Sequence, residues 1–153
     1  MGILEVMAAD HAEAAALFDE LTPIAGDDRR TCDVMRVATR LAIEIKSHAL
    51  AEQKVLLEAL RTAGDDCAAY ALEALHELYA LDLVIDKMLA LRPGPELRAA
   101  VCVARRLFDQ HMERAVAEVL PAAGSRLADG QLARDLVVEK RRVRPRVMRL
   151  VSP

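Results

Sequence analysis

The chain of 153 residues contains only four histidines, and they lie far apart along it. A neutral imidazole can bind a transition metal through its lone pair, or exchange a proton near neutral pH. Glu52 follows His48 by four residues, so on a helix the two side chains share one face and could chelate one ion. This spacing alone is weak evidence for a metal site, because most glutamates on helices are solvated. The four histidines are His11, His48, His76 and His111.

Proline and glycine divide the chain into segments that contain neither residue. These breakers lie at 23–26, 64, 93–95 and 121–124, and acidic residues or Pro95 next to them are typical of helix starts. The pattern predicts four long helices and a short fifth one. Their expected limits are 3–22, 28–63, 66–91, 96–120 and 125–142.

The composition and the connections predict how these helices assemble. An aliphatic composition with no tryptophan favours an all-α fold. Short connections favour an antiparallel, up-down-up-down four-helix bundle. We expect this bundle to span residues 1–124, with residues 125–153 forming a C-terminal helix and basic tail on the same domain.

Each histidine falls on a different long helix, and helical periodicity predicts that all four face inward. A single buried histidine is usually a hydrogen-bonded core residue. Four of them in an aliphatic core would find few polar partners apart from carboxylates, whereas a metal ion would satisfy several lone pairs at once. The apolar neighbours that suggest the inward faces are Met7 and Phe18 for His11, Leu41 and Ile45 for His48, Leu72 and Leu83 for His76, and Leu107 and Phe108 for His111.

The order of these residues, with Asp10 before His11 and the runs at 55–60 and 119–121, resembles the hemerythrin-like (HHE cation-binding) domain family over about residues 3–121. Members are four-helix bundles that hold a non-haem di-iron centre through histidines and bridging carboxylates. The resemblance implies that His11 and His48 serve one metal position and that His76 and His111 serve the other. Glu52 would bridge or chelate.

The chain departs from the family pattern at Ala115, where a second bridging glutamate is expected four residues after His111. Two ferrous ions would bring four positive charges into a core where Glu52 supplies one negative charge. Glu73, three residues before His76, is a further candidate ligand. The sequence therefore leaves open a single ion, two weakly held ions, or a metal-free remnant.

Charge and cysteine content indicate which partners and which cell compartment to expect for this protein. The net charge is −3, and six of the 21 basic residues lie in residues 140–153, which contain no acidic residue. An acidic body makes nucleic acid an improbable partner. No apolar run is long enough for a membrane span, and no signal peptide is apparent. Three isolated cysteines fit reduced thiols, so we expect a cytoplasmic protein.

The leading functional hypothesis is a hemerythrin-like metal-binding protein that binds, senses or reduces oxygen, peroxide or nitric oxide. The resemblance favours non-haem iron, with zinc as a weaker alternative for a histidine-rich site. If the protein is an enzyme, the activity would be the handling of peroxide or nitric oxide. The alternative hypothesis is a regulatory or interaction module whose metal site has decayed at Ala115.

Overall fold

The chain folds into five long helical segments, two of which are interrupted by a π-helical turn. A computed structural model describes residues 1–152, the side chain of Ala122 excepted. The helices are α1 (Ile3–Leu21), α2 (Thr31–Glu52), α3 (Glu58–Arg61), α4 (Asp65–Ala90), α5 (Pro95–Arg114), α6 (Leu120–Ala123) and α7 (Asp129–Val151). The π segment Gln53–Leu57 joins α2 to α3, and the π segment Ala115–Val119 joins α5 to α6.

The predicted breakers lie where the long helices end. Gly64 has φ +125° between α3 and α4, a conformation that side-chain-bearing residues rarely adopt. Pro95 is the first residue of α5, as predicted. The carboxylate of Asp27 accepts a hydrogen bond from the backbone N–H of Arg29 and so caps the short 3₁₀ turn before α2. Asp65, one of the acidic residues next to these breakers, lies in the first turn of α4, and Gly64 is the N-cap.

The helices pack around an aliphatic core, which confirms the all-α class and a helical bundle. Helix α2 packs against α1, α4 and α7, and α5 packs against α1 and α4. Residues 1–152 contain no strand. None of the helices in this range combines the length and apolarity that crossing a bilayer requires.

The predicted fifth helix is present, but its predicted length is wrong, because α7 spans 23 residues and continues through Pro145. A proline inside a helix removes one backbone hydrogen bond and usually bends or ends it. Here the packing outweighs that cost, since Leu136 and Val147 are both buried on the two sides of the proline. The basic stretch also folds back onto acidic groups, because Arg144 forms an ion pair with the buried carboxylate of Glu44.

Candidate metal centre

Three of the predicted ligands, His48, Glu52 and His111, meet in the interior of the bundle. The Oε2 atom of Glu52 lies 3.0 Å from Nε2 of His48 and 3.0 Å from Nε2 of His111. All three residues are at most 2% exposed. In the part of the chain that the structure describes, they form the one group of potential ligands whose donor atoms all lie within 4.8 Å of one another.

Two helices supply this cluster. His48 and Glu52 lie one turn apart on the buried side of α2, as their spacing predicts. His111 lies on the buried stripe of α5, one turn after Phe108. The π segments begin directly after Glu52 and four residues after His111. Single π turns inside α-helices occur frequently at functional sites.

A carboxylate on a neighbouring helix fixes each imidazole of the cluster. Nδ1 of His48 donates to Oδ2 of Asp10 on α1 at 2.8 Å. Nδ1 of His111 donates to Oε2 of Glu77 on α4 at 2.9 Å. In metal sites, such a bond from the outer ring nitrogen sets the tautomer and the ring orientation, and so directs the other nitrogen at the ion. Both Nε2 atoms here lie next to Glu52.

Cationic side chains in turn hold these outer carboxylates. Lys140 Nζ on α7 lies 2.7 Å from Oδ1 of Asp10 and 3.1 Å from Oε2 of Glu44. Arg114 Nη1 donates to Oε1 of Glu77 at 3.0 Å. Each buried imidazole is therefore linked to a base at the rim of the bundle through one carboxylate.

The three cluster residues strongly perturb one another's ionisation. Burial acts to lower the pKa of His111, but the negative charge and hydrogen bonds of Glu52 and Glu77 outweigh it and raise the pKa to about 10. Burial also acts to lower the pKa of His48, but Asp10 and Glu52 outweigh it, so that this pKa is raised as well. Burial acts to raise the pKa of Glu52, yet the two imidazoles hold it well below its usual range. The metal-free cluster is therefore a carboxylate between charged imidazoles.

Several polar atoms around the cluster are buried without a hydrogen-bond partner. His48 Nε2 is one, because its 3.0 Å contact with Glu52 lacks the alignment of a hydrogen bond. Glu52 Oε1 and the hydroxyl of Tyr70 are two more. Leaving such groups unpaired costs about 1–3 kcal/mol each. When both Nε2 atoms are deprotonated, two imidazole nitrogens and a carboxylate are donors that a divalent transition metal binds, and three ligands leave a coordination position open.

The expectation that His11 faces the interior is wrong. Its side chain is 41% exposed, and its Nε2 lies 3.1 Å from Oδ1 of Asp109 on α5. The ring of Phe108 packs against His11 and His48, with centroid distances of 5.7 and 6.2 Å. The apolar stripe of α1 passes through Met7, Asp10 and Ala14, one residue before the histidine.

His76 also lies outside the cluster, on the exposed side of α4. The apolar residues that suggested its inward face are themselves in solvent, since Leu72 is 56% and Leu83 is 71% exposed. The buried stripe of α4 runs instead through Tyr70, Ala74 and Leu78. The prediction failed because α4 carries apolar residues on both sides.

Glu73 does not join the cluster either. It is exposed and forms an ion pair with Arg114 at the surface between α4 and α5. Tyr79 is not in the core either, because it is half exposed and packs its ring against His76.

Sequence reasoning missed the roles of Asp10 and Glu77, although a signal was present for both. Each acid lies on or beside the heptad-like stripe of buried residues on its helix, where an apolar residue is expected. On α1 the buried residues include Ile3, Met7, Ala14, Leu17 and Leu21, and the half-buried Asp10 lies in register with them. A polar residue in such a stripe predicts a buried polar partner, here His48 for Asp10 and His111 for Glu77.

A surface cleft of about 440 Å³ reaches the cluster between α4 and α5. His111 contributes to its wall although the residue is nearly fully buried. The cleft thus brings solvent close to one ligand of the cluster. Its lining residues are Glu73, His76, Glu77, Ala80, Leu107, Gln110 and His111.

Comparison of the chain with protein-family models, with curated proteins and with solved structures finds no match.

Proposed function

We propose that this protein binds one divalent transition-metal ion through His48, Glu52 and His111. The observation that carries this proposal is the geometry of the two imidazoles. Asp10 and Glu77 hold their Nδ1 atoms, so that both Nε2 atoms lie beside the same carboxylate. A metal-binding histidine is typically held in this way.

The charges next to the two imidazoles favour a single ion. Glu52 is the one carboxylate of the cluster. The carboxylates at the outer ring nitrogens are already paired with bases, Asp10 with Lys140 and Glu77 with Arg114. One divalent ion bound to neutral imidazoles would leave one positive charge beside Glu52, whereas two ions would leave three in the low-dielectric interior.

The resemblance to hemerythrin-like domains makes non-haem iron the ion that we propose. Ferrous iron with an open coordination position would supply electrons to a small oxidant such as oxygen, peroxide or nitric oxide. The residues of the chain hold the ion, orient the imidazoles and exclude bulk water. The cleft beside His111 supports access by a molecule of this size.

The up-down-up-down order of the bundle is part of the same proposal. Two pairings across α1 and α5 support opposite directions, since His11 contacts Asp109 while Asp19, further along α1, contacts Arg105. Glu77 and Glu73 on α4 likewise pair with His111 and Arg114 on α5 in reversed order.

Elemental analysis of purified protein tests the proposed site. The protein would come from iron-supplemented cells and be purified without chelating resins. We expect about one ion per chain in the wild type and loss of the ion in His48→Ala, Glu52→Ala and His111→Ala. His11→Ala and His76→Ala are matched controls and should retain the ion, because both side chains lie outside the cluster.

Three results would count against the proposal. About two ions per chain, lost also in His11→Ala and His76→Ala, would favour the di-iron ligand set that the resemblance implies. Metal without a charge-transfer absorption band would favour zinc over iron. No metal in a wild-type protein that is helical by circular dichroism would exclude metal binding.

One observation favours a second function, that of a metal-free interaction module. Both ring nitrogens of His111 already donate to carboxylates, Glu52 at 3.0 Å and Glu77 at 2.9 Å. Two protonated imidazoles bring the same two positive charges to Glu52 as one divalent ion would. Buried Ala115 also supplies no further ligand. A stable, metal-free wild-type protein would therefore favour this alternative.

A further inference from the structure

Tyr70 is a buried polar side chain near the candidate metal centre that the proposed ion does not use. Only 5% of the residue is exposed, and its hydroxyl has no hydrogen-bond partner. The residue lies on the buried stripe of α4, two helical turns before Glu77. Buried hydroxyls in folded proteins are nearly always paired, so this one requires an explanation.

Arg114 connects the phenol of Tyr70 to the metal centre, whose charges also affect its ionisation. After burial, the negative charge of Glu52 is the next largest influence on the ionisation of Tyr70, followed by that of Glu77. The guanidinium of Arg114 lies over the ring, 5.2 Å from its centroid, and also binds Glu77. The hydroxyl therefore lies in the electrostatic field of the cluster and not in a purely aliphatic pocket.

The unpaired atoms beside the cluster indicate which kind of ligand could pair with the Tyr70 hydroxyl. Glu52 Oε1 and the Tyr70 hydroxyl are both buried and unpartnered, so they do not bond to each other. A phenol donates one hydrogen bond and Glu52, when ionised, only accepts. A small molecule that binds the ion and accepts a hydrogen bond would satisfy the phenol.

We propose that Tyr70 donates a hydrogen bond to a small anion, such as hydroxide, hydroperoxide or azide, bound at the open position of an ion held by His48, Glu52 and His111. This inference rests on the proposed metal site and adds the ligand class that the site selects. Tyr70 is a positioning and specificity residue for that ligand. It is not itself a ligand of the ion.

Azide titration of the iron-loaded full chain tests this role. Azide binding would be followed by absorption in the wild type, in Tyr70→Phe and in Tyr79→Phe, and the iron content of each would be measured. Tyr79 is the matched control, since it lies on the same helix but is half exposed. We expect equal iron content in all three. The dissociation constant for azide should rise by roughly tenfold or more in Tyr70→Phe alone, because a hydrogen bond to an anion is lost.

Unfolding of the metal-free proteins provides a second readout. Tyr70→Phe should be at least as stable as the wild type without metal, because the substitution removes an unpaired buried hydroxyl. A structural role for the hydroxyl, or a buried water that links it to Glu52, would instead make Tyr70→Phe less stable and leave azide binding unchanged.

The outcomes separate this inference from the proposed function. Equal azide affinity in the wild type and Tyr70→Phe overturns the role of Tyr70, and so does loss of iron from Tyr70→Phe. Absence of iron from the wild type overturns the metal site itself, and that result is seen before any variant is compared.

Discussion

Two pairs of neighbouring residues, Asp10 with His11 on α1 and His76 with Glu77 on α4, each turn one side chain toward the core and the other toward solvent. In each pair the acid turns toward a buried imidazole and the histidine faces outward. Neighbouring residues on a helix differ by about 100° in direction. A shift of one position therefore separates a ligand from the residue that holds a ligand in place.

The comparison with His48 and His111 shows what decides the direction. Those two histidines lie within the buried stripes of α2 and α5, where the residues one turn earlier, Ile45 and Phe108, are buried as well. His11 and His76 have apolar neighbours, but the neighbours of His76 are themselves in solvent. The position of a histidine relative to the buried stripe of its helix therefore decides whether its side chain faces the core.

The largest effect is expected when Ala115→Glu introduces the carboxylate that the resemblance to hemerythrin-like domains leads one to expect at this position. Ala115 is buried, and a further ionised carboxylate there would have to share His111 with Glu52 and Glu77, which already bind both of its ring nitrogens. We expect the free energy of unfolding of the metal-free protein to fall by about 3–5 kcal/mol, measured by urea denaturation. The number of ions per chain should not rise, because His11 and His76 face outward.

The matched control for this substitution is Ala117→Glu, at an exposed position of the same π segment. Its free energy of unfolding should stay within about 0.5 kcal/mol of the wild type. Two ions per chain in Ala115→Glu, with stability unchanged, would show that the outward histidines can be recruited and that the contrast drawn above does not hold.

The next effect is a loss of stability of the metal-free protein at alkaline pH. The folded pKa of His111 is about 10 against an ordinary value of 6.5, so its charged form stabilises the fold fully below about pH 6.5. This contribution declines as the pH rises toward 10, by about 1.4 kcal/mol per pH unit. Urea denaturation between pH 6.5 and 9.5 measures the slope.

Two variants assign that slope to the cluster. His111→Gln removes the titrating group, and the decline between pH 6.5 and 9.5 should become much shallower. His76→Gln should keep the slope of the wild type, since its side chain is exposed and lies outside the network. An undiminished slope in His111→Gln would mean that the charged imidazole does not stabilise the fold.

The smallest effect is expected from the carboxylates that hold the imidazoles. Asp10→Asn and Glu77→Gln should each weaken metal binding by about 10–100-fold without abolishing it. Competition with a chelating dye would measure the dissociation constants. Asp109→Asn is the control, because Asp109 pairs with the outward His11. Equal losses in Asp10→Asn and Asp109→Asn would remove the distinction between the two kinds of histidine.

Much of the fold could be predicted from the sequence, because its signals are local. Glycine, proline and acidic residues mark the turns, and the long helices begin and end within a few residues of their predicted limits. The exception is α7, whose continuation through Pro145 depends on its packing against the rest of the bundle. A local signal cannot report that packing.

The candidate site was predictable only in part. The pairing of His48 with Glu52 follows from helical spacing, and the addition of His111 follows from the clear apolar stripe of α5. The direction of His76 could not be read, because α4 has apolar residues on both its buried and its exposed sides. The contacts of Asp10 with His48 and Lys140 join three helices, and the choice among such partners is set by tertiary structure.

Anomalous diffraction from crystals of the metal-loaded protein, recorded at the absorption edge of the bound metal, tests the central claim most directly. The account predicts one peak per chain, in coordination contact with Nε2 of His48, Nε2 of His111 and the carboxylate of Glu52. Two peaks per chain with His11 and His76 as additional ligands would contradict the account. So would the absence of a peak at this cluster in a protein shown to contain the metal.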